Sequence, residues 1–445
     1  MNNIIKDYFG LEIPIWMQSR KNLFLLFCFD FFLFIYIKNN YFKNDFNGKS
    51  FLITILLAIL WCLISYVNGK YSYFKKNAYL IDKVIGLIKS NLISLTIIYI
   101  IDKLIIIYYP EISPFGKNKI FLLGTLSFFL QFIKLYLYKI FNRKTKFYLL
   151  GNEKEIDTFK SFVKEFPIYR NIELISFRKD ILIHPGKISL LILTEDNNRK
   201  DYFSNYRDSN IEKFTLFNWC EKYLNRIPSD FIKNNDFNKE NWIVDSDSFQ
   251  WRLKRFGDVS ISIIIILFSS PLILFFCILI WIEDKGPIFY SQTRTGLNGK
   301  EFKLTKLRTM RQKSEIFGPV WASKDDKRIT KIGSFLRRTR IDELPQLFSV
   351  LIGDMSLIGP RPERPEIEIS LKENIPFYDL RRFIKPGLSG WAQVNYPYGA
   401  SIEDSKIKLS YELFYIRNHS FWLDILIFIK TIKLIITMKG SKPKV

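Results

Sequence analysis

Two adjacent carboxylates, Asp342 and Glu343, stand within a group of arginines and just ahead of a proline. Because proline is tolerated in a helix only in its first turn, Pro345 predicts a helix that opens near Ile341 and ends near Ile352. The carboxylates then lie at the positive end of the helix dipole, where peptide N–H groups also favour phosphate. On this segment alone, capping residues and functional carboxylates explain the pattern equally well.

Cations in turn-rich surroundings favour the functional interpretation. Arg361 stands between two prolines in the segment 353–363, and the fixed backbone suits an arginine that holds a phosphate in a set geometry. The segment 385–396 is also turn-rich, basic and aromatic. Further positive charge comes from Arg337, Arg338 and Arg340 beside the carboxylates and from Lys306 and Arg308 upstream. Together these residues predict a site for a substrate that carries phosphate.

Composition narrows the partners and ligands. The formal net charge is +23, and 48% of the residues are hydrophobic. A basic excess indicates nucleic acid or an anionic membrane, and the long apolar runs beside the basic clusters favour the membrane. The four cysteines have no ligand or redox spacing, and the two histidines, His184 and His419, are far apart. We therefore expect no zinc or disulfide framework, and any metal should be a hard cation held by oxygen atoms.

The region 1–145 contains four apolar stretches that predict transmembrane helices, at about 23–37, 51–67, 92–109 and 120–138. Basic residues are denser before the first stretch, between the second and third, and after the fourth. The positive-inside rule then places the N-terminus and everything after residue 138 in the cytosol. Asp102 and Lys103 interrupt the third stretch. Either this helix begins earlier, near Val84, with the pair at the outer interface, or the two residues form a buried functional pair.

Residues 146–237 change to a soluble α/β pattern. Strands predicted at 147–151 and 189–193, with a helix at 153–165 between them, resemble a degenerate Rossmann-type unit. Gly151 is the single glycine where a dinucleotide fingerprint needs three. We therefore expect a structural, regulatory or dimerising module, through which two copies could pair as a homodimer. The polar stretch 238–250 predicts a linker.

An uncharged apolar run at 259–282 is long enough to cross a membrane, but Ser270 and Pro271 interrupt it. A crossing would place the basic region that follows outside the cell, against the positive-inside rule. Proline bends a helix, and neighbouring serines can satisfy the carbonyl group that it frees. We therefore predict a re-entrant helix at 258–283, kinked at Ser270 and Pro271, that enters and leaves on the cytosolic face. The apolar tail 421–438 predicts an amphipathic helix on the membrane, with an ordinary docking helix as the alternative.

The order of these motifs is similar to that of a known family. The blocks 286–294, 306–310, 337–347, 353–363 and 385–396, after a proline-kinked apolar helix, resemble those of the bacterial sugar transferase family. The similarity covers about 251–438, and the four-span front end resembles the large, polytopic subgroup. Members are polyprenyl-phosphate phosphoglycosyl transferases, which start exopolysaccharide, O-antigen and glycan assembly. The resemblance implies a catalytic domain at 251–445 on the cytosolic side of the bacterial inner membrane.

The resemblance also implies roles for individual residues. The catalytic dyad of the family matches Asp342 and Glu343, and its magnesium cofactor implicates the same two carboxylates as metal ligands. The basic positions of its motifs, which imply phosphate binding, match Arg361, Arg337, Lys306 and Arg308. One departure is Leu307, which stands where an aromatic residue is common.

The predicted fold class is therefore α-helical membrane segments plus α/β. It has four transmembrane helices, a degenerate Rossmann-like cytosolic domain and a monotopic catalytic domain. The expected reaction moves a sugar-1-phosphate from a nucleotide-sugar, expected to be a uridine diphosphate hexose, to polyprenyl (undecaprenyl) phosphate. Asp342 is expected to attack the sugar-bearing phosphorus and to pass the group to the lipid phosphate. One rival is a polytopic lipid-phosphate transferase, for which the spans are too few. The other is a membrane scaffold, which leaves the carboxylate pair among arginines unexplained.

Overall fold

Four long helices form the first part of the chain: α1 (Lys21–Asn39), α2 (Gly48–Val67), α3 (Leu80–Tyr108) and α4 (Lys117–Phe141). The computed structural model describes residues 21–39, 48–68, 70–71, 80–108, 116–141, 145–166, 168–169, 172–176, 190–193, 212–232, 242, 248–311, 328–397, 399 and 401–437. By contacts the chain divides into two compact units, with the boundary between Leu216 and Phe217.

The four helices pack around an apolar core, in which α1 and α3 each contact both α2 and α4. Phe34, Trp61 and Leu123 lie in this core. The outer surface is apolar as well, as shown by Phe32, which is 65% exposed, and Phe121, which is 73% exposed. A bundle that is apolar both inside and outside is typical of a region embedded in lipid.

The length and composition of the helices agree with membrane association. Among the described residues, two helical segments are long and apolar enough to cross a membrane, Val84–Ile105 and Phe249–Asp284, and Phe51–Val67 is a shorter apolar one. The third helix begins at Leu80, as expected from the interpretation that it starts before residue 92. Asp102 is buried while Lys103 is exposed, so these two residues do not form a buried pair. Four membrane crossings stay a prediction.

One polar cluster lies inside the bundle. The ammonium group of Lys70 is 3.2 Å from Asp30 Oδ2, and Tyr71 donates a hydrogen bond of 2.7 Å to the same oxygen. Lys70 donates to Ser127 Oγ at 2.6 Å, and Ser127 in turn donates to Asp30 Oδ1 at 2.5 Å. Both carboxylate oxygens of Asp30 therefore have partners, although the residue is almost completely buried.

The segment after the bundle is a small α/β layer. Strands β1 (Thr145–Leu150), β2 (Ile172–Ser176), β3 (Leu190–Leu193) and β4 (Glu212–Thr215) form a parallel sheet in the order β2-β1-β3-β4. Helix α5 (Glu153–Lys164) follows β1, and the Asn152 side chain caps its N-terminus. The parallel sheet agrees with the predicted Rossmann-like pattern, because parallel strands need crossover connections.

Residues 217–232 belong to the second compact unit, not to the α/β layer. The Ile227 N–H donates to the Ser410 carbonyl at 2.7 Å, and the Trp391 indole N–H donates to the Asn225 carbonyl at 3.0 Å. These bonds explain why the compact unit that contains the sheet ends before residue 237, the predicted limit. The predicted domain limits stay predictions, and most of the predicted linker 238–250 lies outside the described residues.

The longest helix, α6 (Phe249–Asp284), contains Pro271. Pro271 has no N–H to donate to the carbonyl of Leu267 four residues earlier. The hydroxyl of Ser270 donates to that carbonyl at 2.9 Å instead. The serine thus has the role that the sequence predicted for it, and the helix continues through the proline without interruption.

The rest of the second unit consists of short elements around α6. They are the hairpin β5 (Phe289–Thr295) and β6 (Glu301–Leu307), helices α7 (Lys331–Thr339) and α8 (Leu347–Ile352), strand β7 (Ser356–Ile358), helix α9 (Pro365–Asn374), strand β8 (Gly387–Ser389), and helices α10 (Trp391–Asn395), α11 (Ile402–Arg417) and α12 (Phe421–Ile436). A 3₁₀ helix, Ile341–Gln346, joins α7 to α8. This mixture of helices and small sheets agrees with the predicted fold class in its broad features.

The C-terminal helix α12 has two apolar sides. Leu423 and Ile427 are buried within the second compact unit, whereas Trp422 and Ile436 are more than 60% exposed. One side therefore docks as an ordinary helix does, and the other leaves apolar surface of the kind that binds membranes. Residue 438, the predicted end, lies outside the described part of the chain.

Candidate active site

Asp342 lies where the 3₁₀ helix packs against strand β6. Helix α7 ends at Thr339, and the next residue, Arg340, has a left-handed backbone (φ 61°) and precedes the 3₁₀ helix. The sequence predicted one helix from Ile341 to Ile352, and the two ends agree with that prediction. The first six residues are 3₁₀ rather than α, and Pro345 lies among them without an N–H of its own. The tighter turn leaves Asp342 buried, only 6% exposed.

Glu343 is held by two arginines. Arg361 donates to Glu343 Oε1 at 2.7 Å, and Arg340 donates to the same oxygen at 3.2 Å. The Glu343 side chain is 12% exposed, whereas that of Arg361 is 38% exposed. Arg361 can therefore contact Glu343 and still present donors to a ligand from solvent.

The two neighbouring carboxyl groups differ in pKa because their surroundings differ. Burial, followed by the negative charge of Glu343, raises the pKa of Asp342 to about 6, against the opposing effect of Lys306 and the arginines. Burial acts on Glu343 in the same direction, but Arg361 and Arg340 outweigh it and hold the pKa of Glu343 well below its usual range. Burial lowers the pKa of Lys306 to about 8, against the opposing effect of Asp342. The pKa of Asp342 thus stays below that of Lys306, which favours an anionic carboxylate and a cationic lysine between the two values.

The predicted basic residues do not all reach the carboxylates in the same way. Lys306 and Arg337 exert their charge on Asp342, and Arg337 is oriented by a hydrogen bond of 2.8 Å to Thr309 Oγ1. Arg361 binds Glu343 directly. Arg308 instead lies 3.3 Å from Asp284 at the end of α6. The structure therefore brings together Lys306, Arg337 and Arg361 with the dyad, while Arg308 is paired elsewhere.

The loop that carries Arg361 is fixed from behind by residues that sequence reasoning missed. Arg381, itself buried, donates to the Arg361 carbonyl at 2.6 Å and makes two hydrogen bonds of 3.0 Å to Glu412. Gly359 and Gly387 approach so closely that a Cβ on either would collide with backbone. The signal available in the sequence was the arginine pair just before the second turn-rich segment, but its partner Glu412 is 31 residues away.

Comparisons with known proteins place this site within a recognised region. A model of the bacterial sugar transferase family matches residues 249–438. A "putative undecaprenyl-phosphate N-acetylgalactosaminyl 1-phosphate transferase" of Bacillus subtilis is 52% identical over 129 residues, which cover 29% of this chain and 72% of that protein. The chain belongs to the bacterial sugar transferase family.

Two longer relatives match over part of their length. The "UDP-N-acetylgalactosamine-undecaprenyl-phosphate N-acetylgalactosaminephosphotransferase" of Aeromonas hydrophila is 45% identical over 190 residues, which cover 43% of this chain and 45% of that protein. The "UDP-glucose:undecaprenyl-phosphate glucose-1-phosphate transferase" of Xanthomonas campestris pv. campestris is 36% identical over 221 residues, which cover 49% of this chain and 44% of that protein. The match thus spans about half the length of these two relatives, and all the candidate site residues lie in the region matched by the family model.

Bacterial sugar transferases typically use magnesium, and the residues around Asp342 are compatible with it. No group of three or more His, Cys, Asp or Glu residues that could hold a metal occurs in the described part of the chain. Asp342 Oδ1, however, is buried and accepts no hydrogen bond from any described residue. Magnesium is commonly bound by one or two carboxylates together with substrate phosphates and water. A magnesium–diphosphate donor therefore fits this site better than a metal held by protein ligands alone.

Proposed function

We propose that this chain transfers a sugar-1-phosphate from a uridine diphosphate sugar to undecaprenyl phosphate, the first step of a surface polysaccharide. The products are undecaprenyl-diphosphate-sugar and uridine monophosphate. The observation that carries the proposal is Asp342, a buried carboxylate set among cations from β6 and α7, one oxygen of which accepts no hydrogen bond from the described residues. The names of the relatives support the choice of donor and acceptor.

The first step is attack by the Asp342 carboxylate on the phosphorus that bears the sugar. A bond forms between the carboxylate oxygen and this phosphorus, and the bond from phosphorus to the oxygen shared with the nucleotide breaks. Uridine monophosphate leaves with that oxygen and the electron pair. Since the leaving group is an ionised phosphate, no proton has to be supplied, which suits a site whose motifs contain no histidine.

In the second step an oxygen of the lipid phosphate attacks the same phosphorus. The bond from phosphorus to the Asp342 oxygen breaks, and the carboxylate is regenerated as undecaprenyl-diphosphate-sugar forms. An acyl phosphate is a reactive intermediate because a carboxylate is a good leaving group. The incoming phosphate is already ionised near neutral pH, so no strong base is required.

Both steps bring anions together, and the cations of the site reduce this cost. At ~4 Å two unit charges repel by about 4 kcal/mol at an effective dielectric constant of about 20. Lys306, Arg337 and Arg361 are positioned to bind the donor diphosphate and to offset the repulsion. Magnesium, with Asp342 as its protein ligand, would supply further positive charge on the diphosphate.

Glu343 acts by positioning the arginines. Arg361 and Arg340 both contact Glu343 Oε1, so this oxygen serves to hold the two guanidinium groups. These contacts support a positioning role for Glu343, and they leave metal binding to its other oxygen, Oε2. Arg361 is thereby held beside the nucleophile while part of its guanidinium group stays exposed.

The contacts of helix α6 support a position of this site at the membrane surface. Near its start, Lys254 donates to the Ile358 carbonyl at 2.9 Å, and in its second half Phe276 and Ile280 pack with Leu307 and Leu336. Both halves of the helix are therefore attached to the same catalytic unit, while Leu267 and Phe268 between them are exposed. These contacts support a re-entrant helix that holds the catalytic unit on the cytosolic face of the bacterial inner membrane, where a nucleotide-sugar and a lipid phosphate can meet.

Donor turnover tests the proposal. Vesicles that contain the purified chain, undecaprenyl phosphate and magnesium are given the uridine diphosphate forms of glucose, galactose, N-acetylglucosamine and N-acetylgalactosamine, one at a time. We expect release of uridine monophosphate with one donor above the others, dependent on the lipid phosphate for multiple turnovers. Absence of release with every donor would overturn the proposal.

The covalent step is tested without the acceptor. With donor alone, intact-protein mass spectrometry should detect one sugar phosphate per chain on Asp342. An Asp342→Asn protein that still acquired this mass would exclude Asp342 as the nucleophile. Transfer at the normal rate with no modified aspartate would exclude the two-step reaction.

A further inference from the structure

The last turn of α6 ends in two acidic residues, Glu283 and Asp284, which we call the helix-end pair. Glu283 Oε1 accepts hydrogen bonds from the backbone N–H groups of Lys331 at 3.0 Å and Ile332 at 3.4 Å. Asp284 Oδ2 lies 3.3 Å from Arg308 Nη2. The membrane helix therefore contacts two other elements through adjacent carboxylates.

Those two elements carry cations of the candidate site. Arg308 follows β6 directly and is two residues after Lys306. Lys331 and Ile332 open helix α7, which carries Arg337 six residues after Lys331. Lys306 and Arg337 both act on Asp342. Asp284 is thus connected through the end of β6 to Lys306, and Glu283 is connected through α7 to Arg337.

The burial of Arg308 indicates that its contact with Asp284 matters. Arg308 is 7% exposed, and among the described residues its guanidinium group has one ion pair, to Asp284, which is a charge contact without a hydrogen bond at Arg308 Nη2 or Asp284 Oδ2. Removing the partner of a buried charge leaves that charge uncompensated, which is costly. Behind the contact, Ile280 of α6 packs with Leu307 and Leu336, so the apolar and ionic contacts join the same three elements.

We propose that the helix-end pair is a positioning device, which transmits the placement of the membrane helix to Lys306 and Arg337, and that Arg308 positions β6 instead of binding substrate phosphate. This inference rests on the proposed function. Glu283 fixes the start of α7 and Asp284 fixes the end of β6. The bilayer, by holding α6, sets where these cations meet the diphosphate.

A charge exchange separates positioning from phosphate binding. The full chain in vesicles is compared with Asp284→Asn, Arg308→Gln and the double exchange Asp284→Arg with Arg308→Asp. We expect each single change to lower kcat by about tenfold or more, with a smaller change in KM for the donor, and the exchange to recover most of the loss. An exchange protein that folds but is no more active than Arg308→Gln would show that Arg308 contacts the substrate, and would overturn the proposal.

The Glu283 contact is tested by keeping or removing its acceptor oxygen. Glu283→Gln retains a carbonyl oxygen for the N–H groups of α7 and should keep kcat within about threefold of the parent, whereas Glu283→Leu should lower it about tenfold. Glu403→Gln, an exposed carboxylate in the first turn of α11, is the matched control and should change nothing. Equal activity of Glu283→Leu and Glu283→Gln would contradict the role of Glu283.

Thermal unfolding of the same proteins keeps this test independent of the reaction. The thermal midpoints of the two single variants and the exchange form a cycle that reports the coupling between residues 284 and 308 even without turnover. If the chain had no activity on any donor but the cycle showed clear coupling, the proposed function would be wrong and the ion pair would still be confirmed. If the chain were active but the cycle showed no coupling, only the proposed positioning role would be wrong.

Discussion

Two buried aspartates in this molecule have opposite surroundings. Asp30, inside the four-helix bundle, has an ammonium group and two hydroxyl groups on its oxygens. Asp342, in the catalytic unit, is beside several cations but keeps one buried oxygen without a hydrogen bond from the described residues. A buried carboxylate with all its partners stabilises a packing arrangement, whereas one left unsatisfied costs free energy that folding alone does not explain. The comparison supports a structural role for Asp30 and the catalytic role that we propose for Asp342.

The largest effect should come from removing the unsatisfied carboxylate. Asp342→Asn keeps the shape but removes the nucleophile, so kcat should fall on the order of 10⁴-fold. Uridine monophosphate release measures this, and Asp354→Asn is the control outside the site. The thermal midpoint should stay constant or rise, because a desolvated charge is lost. If Asp342→Asn lost activity only because it unfolded, the proposed difference between a structural Asp30 and a catalytic Asp342 would be wrong.

Replacing Asp30, the carboxylate whose oxygens have partners, should reduce stability and leave kcat nearly unchanged. Asp30→Ala leaves Lys70 buried without its carboxylate, which should destabilise the chain by about 3–5 kcal/mol. The double change Asp30→Leu with Lys70→Met removes both charges and should recover most of that stability. Unfolding in detergent measures both, while kcat of the folded fraction should stay within about twofold of the parent. A large loss of kcat in the folded double variant would mean that the bundle cluster takes part in catalysis.

At Arg361, even a substitution that keeps the positive charge should lower activity. Lysine cannot span Glu343 and a substrate phosphate with a planar fork of donors, so Arg361→Lys should lower kcat/KM by roughly tenfold to a hundredfold. Arg338→Lys, on the exposed side of α7, is the matched control and should have little effect. Equal losses in the two variants would indicate that charge, not geometry, is what Arg361 supplies.

The smallest expected effect is a shift in pH dependence. Because the pKa of Asp342 is raised to about 6, kcat/KM should fall below that pH as the nucleophile becomes protonated. Because the pKa of Lys306 is lowered to about 8, activity should also decline above that pH as the lysine loses its charge. In Glu343→Gln the negative charge that raises the pKa of Asp342 is absent, so the acidic limb should move to lower pH. An acidic limb that moved upwards would contradict the assignment.

Local chemistry made several elements predictable. Pro345 predicted where the helix at the site opens, and Ser270 predicted how the carbonyl freed by Pro271 would be satisfied. Alternation and apolar runs located β1, β3 and α5, because these patterns depend on neighbours in the sequence. The Asp342–Glu343 pair was found for the same reason, since its residues are adjacent.

Contacts between distant residues were not predictable in this way. Arg381 with Glu412, and Arg308 with Asp284, are pairs whose members are separated by 31 and 24 residues, and nothing in their local sequence names the partner. The docking of 217–232 on α11 likewise depends on a backbone hydrogen bond, to which any residue type could contribute.

The sequence by itself located the apolar helices, the carboxylate pair and the cations around it, because periodicity, proline chemistry and charge are local properties. Only the tertiary structure decided which of two neighbouring carboxylates is bound by arginines and which has an oxygen without a hydrogen bond from the described residues. That difference arises from the packing of β6, the 3₁₀ helix and the Arg361 loop, which bury both groups but direct the arginine donors to Glu343.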